Sequence, residues 1–123
     1  MSLRGIRGAV QAGTNTREAI FAATRELLEE LERRNAFRPE DVASVFLTAT
    51  TDLNAAFPAY AVRHMPGWDR VPLLGAREID VPGAMARVIR ILLHVNTTVP
   101  QHDIGHVYLG ATATLRPDLA AED

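Results

Sequence analysis

The chain has no cysteine and no lysine, so all 13 of its basic residues are arginine. The missing cysteine excludes disulfides, zinc thiolate sites and a thiol nucleophile. The missing lysine excludes Schiff-base chemistry and the phosphate-binding lysine of P-loop proteins. No apolar run approaches the roughly 20 residues that span a bilayer, and no signal peptide is recognisable at the N-terminus. A net charge of −2 does not favour nucleic acid, so we expect a cytoplasmic protein that binds neither nucleic acid nor membrane.

A length of 123 residues predicts one domain, over residues 1–116, followed by a mobile tail at 117–123. Apolar residues at helical spacing predict a long helix up to Asn35, capped by Thr14, Asn15 or Thr16. Proline at the start predicts a short helix over 58–65. Alternating or continuous apolar runs predict strands at 3–11, 43–50, 70–75, 87–96 and 106–111.

This order of elements predicts an α/β fold of the α+β type, a mixed sheet with its helices on one face. Two helices leave the other face of the sheet uncovered. We therefore expect the chain to associate with further copies of itself.

A charge interrupts the most apolar of these strands. Arg90 lies in the run 88–93, in which the remaining five residues are all Val, Ile or Leu. A guanidinium is seldom buried without an anionic or strongly polar partner. With Arg7 near the start of the chain and Glu78 after the third strand, it predicts a polar pocket for an anion. Two structural interpretations stay open at this point: Arg90 paired with a buried carboxylate, and Glu78 paired with Arg77 at the surface.

The four histidines are scattered without the spacing of metal ligands. We interpret them as surface residues or as histidines satisfied by hydrogen bonds, and we predict no metal site. The residues concerned are His64, His94, His102 and His106.

Short motifs along nearly the whole chain, in order, resemble the monofunctional AroH-class chorismate mutases. They are Ile6-Arg7-Gly8-Ala9, Asp52-Leu53 with Phe57-Pro58-Ala59, Val71-Pro72-Leu73, the segment 81–91, His106-Val107-Tyr108-Leu109 and Leu115-Arg116-Pro117-Asp118-Leu119. The resemblance implies a homotrimer packed as a pseudo-α/β barrel, with active sites between subunits. It also implies conversion of chorismate to prephenate, without a cofactor or metal.

The same resemblance implies roles for individual residues. It implies that Arg90 faces the breaking ether bond, Glu78 the ring hydroxyl, and Arg7 with Tyr108 a carboxylate. It further implies an apolar wall and a charged mouth. The wall comprises Phe57, Ala59, Leu73, Leu74 and Leu115, and the mouth comprises Arg63 and Arg116. Gly75 departs from the family pattern, in which a small polar side chain often contacts the substrate hydroxyl, so only its backbone N–H is expected to bind substrate. Tyr60 stands at a rim position that is often charged.

Two other functions compete with this interpretation. One is a trimeric protein that binds small acids or hydrolyses imines in clefts between subunits. The other is a structural interaction domain in which Arg90 forms an interface salt bridge.

Overall fold

A computed structural model of the protein describes residues 1–118, and the last five residues of the predicted tail lie outside the described residues. Residues 1–118 form five strands and two α-helices, joined by three short 3-10 helices. The strands are β1 (Ser2–Gln11), β2 (Val42–Ala49), β3 (Leu73–Arg77), β4 (Val88–Thr97) and β5 (Val107–Tyr108); the helices are α1 (Arg17–Asn35) and α2 (Pro58–Arg63).

The strands form a single mixed sheet in the order β3-β2-β4-β1-β5. The central strand β4 pairs antiparallel with both β1 and β2. The two edge strands pair parallel to their neighbours, β3 with β2 and β5 with β1. The predicted mixed α+β sheet is thus confirmed.

Helix α1 begins and ends as its sequence predicts. The Thr16 hydroxyl accepts a hydrogen bond from the Ala19 N–H at 3.1 Å, which satisfies one free donor of the first turn. The helix ends at Asn35, whose side chain bonds both the N–H and the C=O of Gly105 at 2.8 Å. The predicted apolar stripe is confirmed, because Ile20, Thr24, Leu27, Leu28 and Leu31 are all buried.

Both helices pack on one face of the sheet, which we call the covered face. Its sheet residues alternate along the inner strands and join α1 and α2 in one core cluster. These sheet residues are Ile6, Val10, Val45, Leu47, Ile89, Ile91, Leu93 and Val95.

The intervening residues of the same strands point to the opposite face, which we call the open face. They include two arginines, a threonine and two partly exposed apolar side chains, namely Arg7, Arg90, Thr48, Phe46 and Leu92. The helix-free face expected from the sequence is therefore present in this chain.

Strand β5 depends on a close approach that only glycine permits. A Cβ atom at Gly8 would lie 2.4 Å from the Val107 carbonyl oxygen. Because Gly8 has no side chain, β5 pairs directly with β1 and places Tyr108 beside Ala9.

Three predicted strands agree with the structure to within one residue at each end, and the other two differ by more. The prediction of a strand over 106–111 is wrong beyond Tyr108, because Gly110 takes a positive φ of 58° and residues 110–114 turn into a 3-10 helix. The third strand begins at Leu73 instead of residue 70, because the Val71 N–H closes a turn onto the Trp68 carbonyl. The second helix ends at Arg63, two residues earlier than predicted.

The described residues include no helix that is long and apolar enough to cross a membrane.

Candidate active site

Two arginines lie side by side on the open face because β1 and β4 are paired. Arg7 is opposite Leu92, and Arg90 is opposite Ala9. The two arginines are therefore diagonal neighbours on adjacent strands, offset by two residues along the strand. The even-numbered residues of β4 lie on the open face, whereas Ile89 and Ile91 on either side of Arg90 are buried in the core. The strand thus anchors Arg90 between two core residues, while a third of its side chain stays exposed on the open face.

Glu78 lies beside Arg90, so the structural interpretation of Arg90 as an arginine paired with a carboxylate has a basis in the fold. Its Oε1 lies 3.4 Å from Arg90 Nε, and the two side chains are 22% and 33% exposed. Glu78 follows β3 directly, and its N–H donates to the Ala49 carbonyl at 2.9 Å, which extends the β2–β3 pairing. The alternative pairing of Glu78 with Arg77 is not what the structure shows, since Arg77 is exposed and lines a groove on the covered side.

Tyr108 is brought to the same face by β5. It is 6% exposed and packs with Ala9 and Val88 in a second small cluster, against which Leu115 also lies. Leu115 is carried there by the 3-10 helix over 110–114, where the Thr112 hydroxyl donates to the Ala9 carbonyl at 3.0 Å.

Arg116 adds a further positive charge at this end of the sheet. Its Nε and Nη2 donate to the Asp118 carboxylate at 3.0 and 2.9 Å. This ion pair holds the pKa of Asp118 below its ordinary value, and the charge of Arg7 acts in the same direction. Residues 117 and 118 of the predicted tail are thus part of the described fold.

His106 is the satisfied histidine that the sequence analysis expected. Its Nδ1 accepts a hydrogen bond from the Arg7 N–H at 3.1 Å. Burial lowers the pKa of His106, and the positive charges of Arg7 and Arg116 lower it further. The lowered pKa favours the neutral imidazole beside the two arginines. Sequence reasoning missed its contact with Arg7 because the two residues are 99 positions apart.

Thr48 is a second residue of this charged cluster that sequence reasoning missed. It stands opposite Arg90 in the β2–β4 pairing, and its hydroxyl donates to Glu78 Oε2. The only signal in the sequence was its place on the polar side of an alternating strand.

The remaining predicted site residues lie on or near a different part of the molecule. A groove of about 790 Å³ on the covered side, at the β3 edge, is lined in part by Phe57, Ala59 and Gly75. Arg63 lies nearby, with its guanidinium 4.5 Å from the centre of the Tyr60 ring. Leu73 packs against the core, whereas Leu74 points to the open face at the sheet edge and is 60% exposed.

Within residues 1–118, the predicted site residues fall into two sets that lie on opposite sides of the sheet, except that Leu74 of the second set points to the open face. We call the first the charged half, comprising Arg7, Glu78, Arg90, Tyr108, Leu115 and Arg116. We call the second the wall half, comprising Phe57, Ala59, Arg63, Leu73, Leu74 and Gly75. A single copy does not bring the two halves together.

The charged half has the composition of a binding site for an organic anion. It holds three permanent cations, one carboxylate and one phenol, and the strands fix the positions of most of them. Among residues 1–118, no group of three or more histidine, aspartate or glutamate side chains is placed to hold a metal ion. Such a site can bind an anionic substrate and stabilise charge that develops on it.

Comparisons with known proteins show the family of this chain. Residues 3–119 match the family model for chorismate mutase type I. The chain is 47% identical over 120 residues to the chorismate mutase AroH of Bacillus subtilis, covering 98% of this chain and 94% of that protein. It is 51% identical over 118 residues to the chorismate mutase AroH of Thermus thermophilus, covering 95% and 96% respectively. A solved chorismate mutase from Clostridium thermocellum superposes with a TM-score of 0.86 at 44% identity, covering 89% of this chain and 97% of that one.

Proposed function

Because this chain belongs to the chorismate mutase type I family, we propose that it converts chorismate to prephenate, in the biosynthesis of phenylalanine and tyrosine. The observation that carries the proposal is the Arg90–Glu78 pair on the open face. We expect the protein to act in the cytoplasm.

The reaction is a unimolecular rearrangement, so all bond changes are internal to the substrate. It requires no nucleophile and no proton transfer, and we propose no cofactor or metal. The protein contributes by binding the reactive conformer and by stabilising the charge that develops in the transition state.

Arg90 is proposed to stabilise the ether oxygen, which gains negative charge as its C–O bond breaks. A donor already fixed by the strand stabilises this charge more in the transition state than in the ground state. Glu78 is proposed to accept the ring hydroxyl of the substrate and to face the ring, which becomes partly positive.

The other polar residues of the charged half are proposed to bind the carboxylates of the dianion. Arg7 supplies a permanent charge, and the Tyr108 hydroxyl donates to the same carboxylate. Arg116, at the edge of this group, draws in the dianion or closes over it.

The wall half is proposed to come from a neighbouring copy in a homotrimer. Apart from Leu74, the sheet separates the two halves within one chain, and the open face leaves apolar side chains exposed, with Phe46 at 40%, Leu92 at 39% and Leu74 at 60%. A second copy seated on this face covers them and brings Phe57 and its neighbours toward Arg90. Sedimentation is expected to give three times the 13.5 kDa of one chain.

The direct test of the function is the ultraviolet absorbance of chorismate after addition of the pure protein. We expect the absorbance to fall and prephenate to be the product. Binding of chorismate without turnover would favour the alternative of a protein that binds small acids.

A further inference from the structure

Thr48 joins the Arg90–Glu78 pair from the neighbouring strand. It stands directly opposite Arg90 in the β2–β4 register, and its hydroxyl donates to Glu78 Oε2. The other carboxylate oxygen of Glu78, Oε1, is the one that faces Arg90 Nε. Thr48 therefore holds one oxygen of the carboxylate while the other is turned toward the guanidinium.

The contact between Glu78 and Arg90 is looser than a charge-assisted hydrogen bond. Such bonds measure about 2.7–2.9 Å between nitrogen and oxygen, whereas Oε1 and Nε are 3.4 Å apart. Arg90 Nε is buried and has no hydrogen-bond partner among the residues that the structure describes. A buried donor without a partner is unfavourable, so something must keep the carboxylate from closing on it.

We propose that Thr48 is a positioning residue that keeps Glu78 from closing onto Arg90, so that the exposed third of the Arg90 side chain stays turned toward the substrate. This inference rests on the proposed mutase function. Without the Thr48 hydroxyl, the Glu78 side chain is free to rotate and to form a full hydrogen-bonded pair with Arg90. That pair stabilises the empty enzyme and draws the guanidinium away from the transition state.

The test compares Thr48→Val with Thr48→Ser. Valine keeps the branched shape but lacks the hydroxyl, whereas serine keeps the hydroxyl. We expect Thr48→Val to lower kcat on chorismate by about 10- to 100-fold, the range for loss of a hydrogen bond to a charged group. The KM should change less, and the melting temperature should be unchanged or higher. Thr48→Ser should recover most of the turnover.

Ser44→Ala is the matched control. Ser44 lies on the same strand and the same face, but its hydroxyl contacts His94 at 3.1 Å instead of Glu78. We expect wild-type kcat for this variant.

A double variant separates action through Glu78 from a general effect on the site. Glu78→Gln removes the charge that would close on Arg90, so Thr48→Val should add little to the loss already caused by Glu78→Gln. Equal losses from Thr48→Val in both backgrounds would overturn the proposal.

Three other results would also overturn it: wild-type kcat in Thr48→Val, equal impairment of the valine and serine variants, or failure of Thr48→Val to fold. In these cases the wild-type enzyme, assayed alongside, still consumes chorismate. If the wild-type protein itself is inactive, the proposed function fails and the role of Thr48 fails with it.

Discussion

The two faces of the sheet are built from the same strands but are used differently. In β4, Ile89 and Ile91 are 0% and 1% exposed in the core, while Arg90 between them keeps a third of its side chain accessible. Strand β2 repeats the pattern, with Leu47 buried and Thr48 beside it bonded to Glu78. Alternate residues of one strand thus fill the core on the covered face and, in the proposed function, act on the substrate from the open face.

Substitutions on the two faces of the sheet should have different effects. A change on the covered face should lower the free energy of unfolding and leave kcat of the remaining folded enzyme intact. A change in the charged half on the open face should lower turnover and leave the fold intact.

The largest effect is expected from Arg90→Ala. Loss of one fixed donor to a developing negative charge typically lowers kcat by about 10²–10³-fold. Arg90→Lys should also be severely impaired, because lysine keeps the charge but loses the planar arrangement of donors. Steady-state kinetics and sedimentation of both variants would check this. An Arg90→Ala protein that dissociates or unfolds would favour the structural interpretation of Arg90.

Leu93→Ala tests the covered face. Leu93 is fully buried, and such truncations cost about 2–5 kcal/mol of folding stability. Denaturant unfolding should report this loss, while kcat measured well below the melting temperature should match the wild type.

The neighbouring Leu92→Ala is the matched control, because Leu92 points to the open face and is 39% exposed in one copy. It should weaken association between copies more than it weakens the fold of one chain. Equal effects of Leu93→Ala and Leu92→Ala on unfolding and on association would contradict the expected difference between the two faces.

A smaller effect is expected from Arg116→Ala, at the edge of the charged half. Its contacts are expected to hold substrate and transition state equally, so KM should rise severalfold while kcat changes less. Kinetics over a range of chorismate concentrations would measure both constants. An unchanged KM would return Arg116 to the role of a solvated surface residue paired with Asp118.

The smallest effect concerns pH and Asp52. The Thr50 hydroxyl and the Arg87 N–H both donate to the Asp52 carboxylate and hold its pKa below the ordinary value. A lowered pKa in the folded state stabilises the protein above the ordinary carboxyl pKa, and this contribution is lost as the pH falls toward the lowered value. In Asp52→Asn, the melting temperature should therefore fall less between pH 7 and mild acid than in the wild type. Identical pH dependence in both proteins would contradict this account.

Much of the fold follows from local sequence patterns. The apolar stripe of α1, its Thr16 cap and the alternation in β2 and β4 each specify their elements directly. The ends of β3 and β5 do not, because a turn at 68–71 and a positive φ at Gly110 decide them. Neither feature leaves a periodic signal.

The candidate site was less accessible to sequence reasoning than the fold. The oddity of Arg90 in an apolar strand predicted an anionic partner, and the structure supplies Glu78. The roles of Tyr108 and Arg7 came from resemblance to a family. Thr48 and His106 were missed because their partners are 30 and 99 positions away in sequence, and only the strand register brings them together.

In the proposed homotrimer, the charged half of one copy works with the wall half of another. Coexpression of two variants that are each inactive tests whether the site is shared in this way. Arg90→Ala disables the charged half, and Phe57→Asp disables the wall half by placing a carboxylate against the dianion; Phe57 is 66% exposed, so the fold should tolerate the change.

When the two variants are coexpressed in equal amounts, random assembly of a cyclic trimer leaves about a quarter of the sites with both halves intact. We expect the coexpressed protein to have about a quarter of the wild-type activity, although each variant alone is nearly inactive. Mass measurement of differently tagged copies would establish that mixed trimers form. Mixed trimers with no more activity than the two parents would contradict a site shared between copies.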